Sequence, residues 1–261
     1  MGAAAVRVVF ESGSLVLEGL AGGLGAEAPA PGCLWDPRVS AWRAPAWRYR
    51  EVLTALTRRS RAGEFALEDA ARRYAALGLV HRAERSAFVH QAEAIAAWKA
   101  RGMRGVVVLP TGAGKSYVAE MAIREAQRST LVVAPTLDLM NQWYDVLRTA
   151  FDAPVGLLGG GYVDPRDLTV ATYDSAYLHM ERLGDRWGLV IFDEVHHLPG
   201  PSFLQGAECS VAPYRLGLTA TLERADGREA LLADRVGPVV YARGIKDLAG
   251  EYLAAYDVQS V

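Results

Sequence analysis

The stretch Val106 to Ser116, VVVLPTGAGKS, joins a β-branched apolar run to a turn of small residues that ends in a lysine and a hydroxyl. A strand, a loop that wraps a phosphate and the first turn of a helix are written this way. Thr111, Gly112, Ala113 and Gly114 form the loop, and its two glycines let the backbone come close enough for successive N–H groups to face an anion. Lys115 adds a point charge at the outer phosphates, and the Ser116 hydroxyl can ligate magnesium. The expectation is an ATP-Mg2+ site. Leu109 stands where the strict G-x-x-x-x-G-K-[ST] pattern has its first glycine, so the loop alone also fits an ordinary Gly-rich turn that carries Lys-Ser.

A second stretch, Leu189 to His197 (LVIFDEVHH), narrows the choice. Four apolar residues followed by Asp193-Glu194 describe a buried parallel strand that delivers two carboxylates to the edge where ligands of open α/β sheets sit. Asp193 would hold the magnesium through water, and Glu194 would orient and deprotonate an attacking water. His196 and His197 beside these acids raise a zinc site as an alternative. Adjacent histidines on an extended or turning segment are expected to point in opposite directions, which argues against it.

PTGAGKS paired with DEVHH, and then Leu216 to Thr221 (LGLTAT), resembles the first motor lobe of a superfamily-two DNA helicase. DEVHH followed by Leu198-Pro199, and TAT followed by Leu222-Glu223-Arg224, is most similar to the prokaryotic XPB-like branch. The fold this implies is α/β: a RecA-like P-loop NTPase lobe over residues 81–261, preceded by a small mixed α+β domain over residues 1–80. The implied function is that of an ATP-dependent DNA helicase or translocase in nucleotide excision repair. The implied partners are DNA (single-stranded, forked or damaged duplex), a second RecA-like lobe and, as a candidate, a repair nuclease. A restriction-enzyme translocation subunit shares most of these motifs and remains an alternative, as does a non-catalytic DNA-damage-binding module.

The resemblance also assigns residues. Gln91 falls where these helicases carry a glutamine that reads the adenine edge, although Phe88 and His90 replace the usual arginine and tyrosine before it. Pro135-Thr136 through Trp143 matches the segment that grips the DNA backbone, and Thr172 in VATYD is a second expected phosphate contact. His196 is expected to link the nucleotide to the Thr219-Ala220-Thr221 hydroxyls. Arg224 and Asp226 belong to a segment tied to DNA opening, in which this chain has Ala225 instead of the family's glutamate. Nothing after Thr221 reads as a second lobe. An arginine finger from such a lobe is worth about 10³ to 10⁵ in rate, so this chain is expected to bind nucleotide and DNA while hydrolysing poorly by itself.

Outward from the motifs, the composition is uneven. The 261 residues are 51% hydrophobic, enough to bury a core. Residues 1–104 carry 15 basic against 10 acidic side chains, whereas the remainder carries 13 against 20. No apolar run or leader indicates a membrane, and two distant cysteines, Cys33 and Cys209, suit a reduced, cytoplasmic protein. Residues 6–20 alternate about Ser12-Gly13-Ser14 as a hairpin. From Leu34 to Arg50, Trp35, Trp42, Trp47 and Tyr49 interleave with four arginines. That texture suits base stacking, but each tryptophan singly is better read as part of a small core. The spacing predicts a helix over residues 51–77.

Overall fold

The computed structural model describes residues 5–23, 25–82, 85–198, 200–221 and 229–248. The N-terminal part is a five-stranded sheet with one long helix. Strand β1 (Ala5–Glu11) turns at Ser12 and Gly13, both at positive φ, into β2 (Ser14–Glu18). Two positive φ values give the turn a twist that matches the strands it joins. β3 (Leu34–Asp36), β4 (Ala41–Pro45), α1 (Tyr49–Arg61) and β5 (Ala66–Ala70) follow, in sheet order β3-β4-β2-β1-β5. Val6, Val8, Leu15, Leu17, Trp42, Tyr49, Val52 and Leu56 fill its core.

The expected helix over residues 51–77 stops at Arg61. Gly63, at φ +84°, ends it, and β5 pairs in parallel with β1. In β5, Ala66 and Glu68 are exposed while Leu67 and Asp69 are half-buried, a period of two that serves the backbone groups of an otherwise open β1 edge. Tertiary pairing has overridden the helical spacing of Leu67, Ala70, Ala71, Tyr74 and Leu77. The tryptophans behave as a core: Trp42 and Trp47 are buried and Trp35 packs edge-on against Trp42.

The second part alternates helix and strand, through α2 (Val89–Ala100), β6 (Arg104–Val108), α3 (Lys115–Ala126), β7 (Thr130–Ala134), α4 (Leu137–Ala150), β8 (Val155–Gly159), β9 (Tyr162–Asp164), β10 (Leu168–Thr172) and α5 (Tyr173–Leu183). β11 (Leu189–Asp193), α6 (Pro201–Glu208), β12 (Tyr214–Thr219), α7 (Glu229–Arg235), β13 (Val239–Ala242) and α8 (Ile245–Leu248) complete it. The sheet order is β13-β6-β12-β11-β7-β10-β8-β9, all parallel except the β8–β9 hairpin. Alternate residues face opposite layers. Val107, Val132, Val170, Ile191 and Leu218 meet α2, α3 and α4, whereas Val106, Leu131, Val133, Val190 and Phe192 meet α5, α6 and α7. Both faces are covered, which is why these strands read as unbroken apolar runs.

The N-terminal part packs against the residues that lead into the strands. Arg50 donates to the Gly102 carbonyl at 2.7 Å, Arg73 forms two bonds with Asp185, and Val211 joins the N-terminal core. Trp47 lies between the guanidinium groups of Arg48 and Arg235, 4.4 and 4.1 Å from its ring centre. Arg215, fully buried at the start of β12, donates to the carbonyls of Ala207, Ser210, Ala212 and Arg235 and so ties α6 and α7 to the sheet. Cys33 and Cys209 are buried free thiols whose pKa burial pushes up to about 11, so neither is a reactive thiolate. No helix among the described residues is long and apolar enough to cross a membrane.

Candidate nucleotide and DNA site

Parallel strands end together, so the loops that follow β6, β12, β11, β7 and β10 meet along one edge of the sheet. After β6 the backbone turns at Gly112 (φ +83°) and Gly114 (φ +80°) and enters α3 at Lys115. A Cβ on Gly114 would meet the Gln91 side chain at 2.2 Å. Only glycine fits both the conformation and the space. Lys115 Nζ donates to the Leu109 carbonyl at 3.2 Å and lies 4.0 Å from Glu194 Oε1. Thr111, Gly112 and Ser116 are exposed around this turn, whereas Ala113 is buried.

Gln91 and His90 sit under the loop. Both donate to the Ala113 carbonyl, from Nε2 in each case, at 3.1 and 2.9 Å. Gln91 Oε1 accepts from the Phe88 N–H at 3.0 Å, closing the first turn of α2. The carboxamide thus fixes the shape of the phosphate loop, and its adenine contact stays a proposal.

Asp193 ends β11, buried beside two aromatic side chains that enter from different helices. Trp143 on α4 donates its indole N–H to Asp193 Oδ2 at 2.8 Å, and the Tyr173 hydroxyl at the start of α5 donates to the Asp193 carbonyl at 3.0 Å. Burial raises the Asp193 pKa above the usual carboxylate range, Glu194 raises it further, and the Trp143 bond opposes both. Glu194 adopts a left-handed backbone (φ 46°), a costly conformation for a residue with a side chain, and it re-aims the carboxylate out of the strand.

His196 Nδ1 lies 2.9 Å from Thr219 Oγ1 and 3.3 Å from Glu194 Oε2. The Thr219 hydroxyl donates to the Thr221 carbonyl at 2.7 Å and is 3.4 Å from the same Glu194 oxygen. Lys115, Glu194, His196 and Thr219 therefore touch through one carboxylate. His196 and His197 do not point apart: they sit on a 3-10 turn, Val195–His197, with ring centres 4.2 Å from each other. The opposite orientation expected from sequence for an extended or turning segment does not hold on this one. Among the described residues no group of three or more His, Cys, Asp or Glu could hold a metal ion, so zinc gains no support from that proximity.

Pro135 and Thr136 follow β7, and Thr172 ends β10. Thr136 and Thr172 are N-caps: their hydroxyls accept from the N–H groups of Leu139 and Ser175, each at 3.2 Å. Between them the sequence reading passed over Gly159-Gly160-Gly161, all at positive φ, where a Cβ on Gly159 would lie 2.9 Å from Met140 Sδ and 3.2 Å from Thr172 Cγ2. The glycine run was the available signal. Trp143 and Tyr173 were also missed as partners of Asp193, since no local pattern reports a contact across that many residues. Arg224, Ala225 and Asp226 lie outside the described residues.

The model of the type III restriction enzyme res subunit family matches residues 85–224, and that of the Xeroderma pigmentosum group B helicase damage recognition domain matches residues 8–71. A DNA 3'-5' translocase XPB2 from Sulfurisphaera tokodaii is 40% identical over 235 residues, covering 90% of this chain and 52% of the relative. A DNA 3'-5' helicase XPB from Kineococcus radiotolerans is 40% identical over 172 residues, covering 61% of this chain and 31% of the relative. This chain thus spans about half of the length of the first of these relatives and about a third of the second. The UvsW helicase of bacteriophage T4 shares the fold over 91% of this chain, with a TM-score of 0.51 at 16% identity. Two family models in this order, matching the two sheets in turn, and the extent of the XPB likeness place the chain in the XPB-like family of superfamily-two helicases, as their N-terminal half: a damage recognition domain and a first RecA-like lobe.

Proposed function

We propose that this chain is the nucleotide-binding half of an ATP-dependent DNA translocase or helicase, made of units over residues 1–80 and 81–261. The observation that carries the reading is the single carboxylate of Glu194, within 4.0 Å of Lys115, 3.3 Å of His196 and 3.4 Å of Thr219. A general base, a phosphate-binding lysine and the segment leading to the DNA-opening motif are in mutual contact. The cradle around Gly114 and the donor set of hydroxyl, lysine and two carboxylates fit a nucleoside triphosphate with magnesium. Ser116 and Asp193 would hold that ion, and when bound it would neutralise charge building on the phosphates. Thr111 to Gly114 would cradle the phosphates with backbone N–H groups, and Lys115 would leave the Leu109 carbonyl to meet them.

Glu194 would accept the proton of the attacking water, because its left-handed backbone turns the carboxylate toward the loop. Thr136 and Thr172, at two helix N-termini, suit contact with DNA phosphates. A second RecA-like lobe would supply the arginine that completes hydrolysis. Nucleotide excision repair, with a nuclease partner, follows from the damage recognition likeness and is proposed on that ground. The test is an equilibrium titration with fluorescent ATP and magnesium. Saturable binding by this chain that is lost in Lys115→Ala supports the reading, and equal binding by both would overturn it.

A further inference from the structure

The carbonyl of Ala113, inside the phosphate loop, accepts hydrogen bonds from two consecutive residues of α2, His90 Nε2 at 2.9 Å and Gln91 Nε2 at 3.1 Å. A carbonyl oxygen has two lone pairs, and both are used here. It has no proton to give, so His90 carries its own on Nε2. His90 and Gln91 are only 2% and 3% exposed. The Phe88 ring stacks on the imidazole, with 5.8 Å between ring centres and 19° between planes. Oε1, at the other end of the Gln91 carboxamide, accepts from the Phe88 N–H at 3.0 Å. Both ends of that carboxamide therefore bond to the protein's own backbone.

We propose that His90 and Gln91 are a pair of positioning residues that hold the Ala113–Gly114 peptide plane with the Gly114 N–H turned toward the triphosphate. This rests on the nucleotide reading given above and names what sets the shape of its loop. A trans peptide is planar, and its C=O and N–H point in opposite directions. The Ala113 carbonyl is tied toward α2, so the Gly114 N–H points away from α2, where it joins the other N–H groups that face an anion. Gly114 does not enforce this by itself. It stands at φ +80°, and a half turn of the plane would take it to about −100°, which glycine adopts as readily. A side chain that would bar the turn does not fit, because a Cβ on Gly114 would lie 2.2 Å from Gln91 Nε2. The glycine that lets α2 approach so closely thus leaves the plane free to turn, and the two donors of α2 supply the missing constraint. In the inverted plane the carbonyl would face the phosphates, negative toward negative, and two buried donors would lose this acceptor.

The experiment is displacement of fluorescent ATP by ATP and by inorganic tripolyphosphate, each with magnesium, from the wild-type chain, His90→Phe, Gln91→Met and the double variant. His90→Phe keeps a ring beneath Phe88 and removes the donor, and Gln91→Met keeps the length and removes the carboxamide. Each lost bond to Ala113 lowers affinity about two- to tenfold, and the double variant binds more weakly than either single one. The fall is equal for ATP and for tripolyphosphate, because the constraint acts on the phosphates and tripolyphosphate has no base. Thermal melts give the folded fraction, and the ratio of the two affinities does not depend on it. In amide NMR spectra the Gly114 N–H shifts when tripolyphosphate is added to the wild type, and that shift collapses in the double variant. A fall for ATP with tripolyphosphate binding intact would assign the pair to the base and overturn the proposal. Variants that bind both ligands as tightly as the wild type would overturn it too. A wild-type chain that binds neither ligand would sink the nucleotide reading as well.

Discussion

Asp193 owes part of its character to Trp143, a side chain that belongs to another element. Its burial costs the ionised form, and the Trp143 indole bond recovers part of that cost. Trp143→Phe keeps the packing and removes the bond, so the pKa of Asp193 rises further. The acid limb of a pH profile of magnesium-dependent ATP binding should then move to higher pH, as a titration at several pH values would show. Asp193→Asn tests the same term by stability. A carboxyl whose folded pKa lies above its unfolded value binds its proton more tightly when folded, so it destabilises the fold at neutral pH and ceases to do so as pH falls toward the unfolded value. The Asn variant should therefore melt higher than the parent at pH 7, by a margin that disappears in acid. His196 belongs to the same scale: with its Thr219 contact gone, His196→Ala joined to a second RecA-like lobe should bind ATP as before yet lose most DNA stimulation of steady-state hydrolysis.

Two helices connect Asp193 to the expected DNA contacts, one at its carboxylate and one at its backbone carbonyl. α4 begins at the Thr136 cap and carries Trp143, and α5 begins at the Thr172 cap and opens with Tyr173. A shift of either helix on engaging a phosphate is felt at Asp193 through a direct hydrogen bond. Gly159 is wedged between these helices at φ +143°. Gly159→Ala should cost roughly 1 to 3 kcal/mol from overpacking and weaken DNA binding beyond what the lost stability explains, as melts and anisotropy together would reveal. At this scale the sequence was unevenly legible. β6 and β11, with their loop and paired acids, could be read because buried parallel strands and phosphate loops are local patterns. β5 could not, since its strand state comes from β1, and neither could the Trp143–Asp193 bond, which spans 50 residues.

Over the described residues, the N-terminal sheet sits where the strands of the second sheet begin, away from the edge at which nucleotide and DNA contacts are proposed. Trp47, which by sequence could have stacked on bases, instead fills the joint between the two parts against Arg235. Trp47→Ala should lower stability by about 3 to 5 kcal/mol, readable in denaturant melts. If the proposed function holds, ATP turnover at Glu194 is coupled to DNA. Its most direct test is steady-state ATP hydrolysis with and without forked DNA, by this chain alone and joined to a second RecA-like lobe, beside Glu194→Gln. Near-zero turnover is expected alone, with turnover when joined that rises with DNA and is lost in Glu194→Gln. DNA-independent turnover by the chain alone, unchanged in Glu194→Gln, would contradict it.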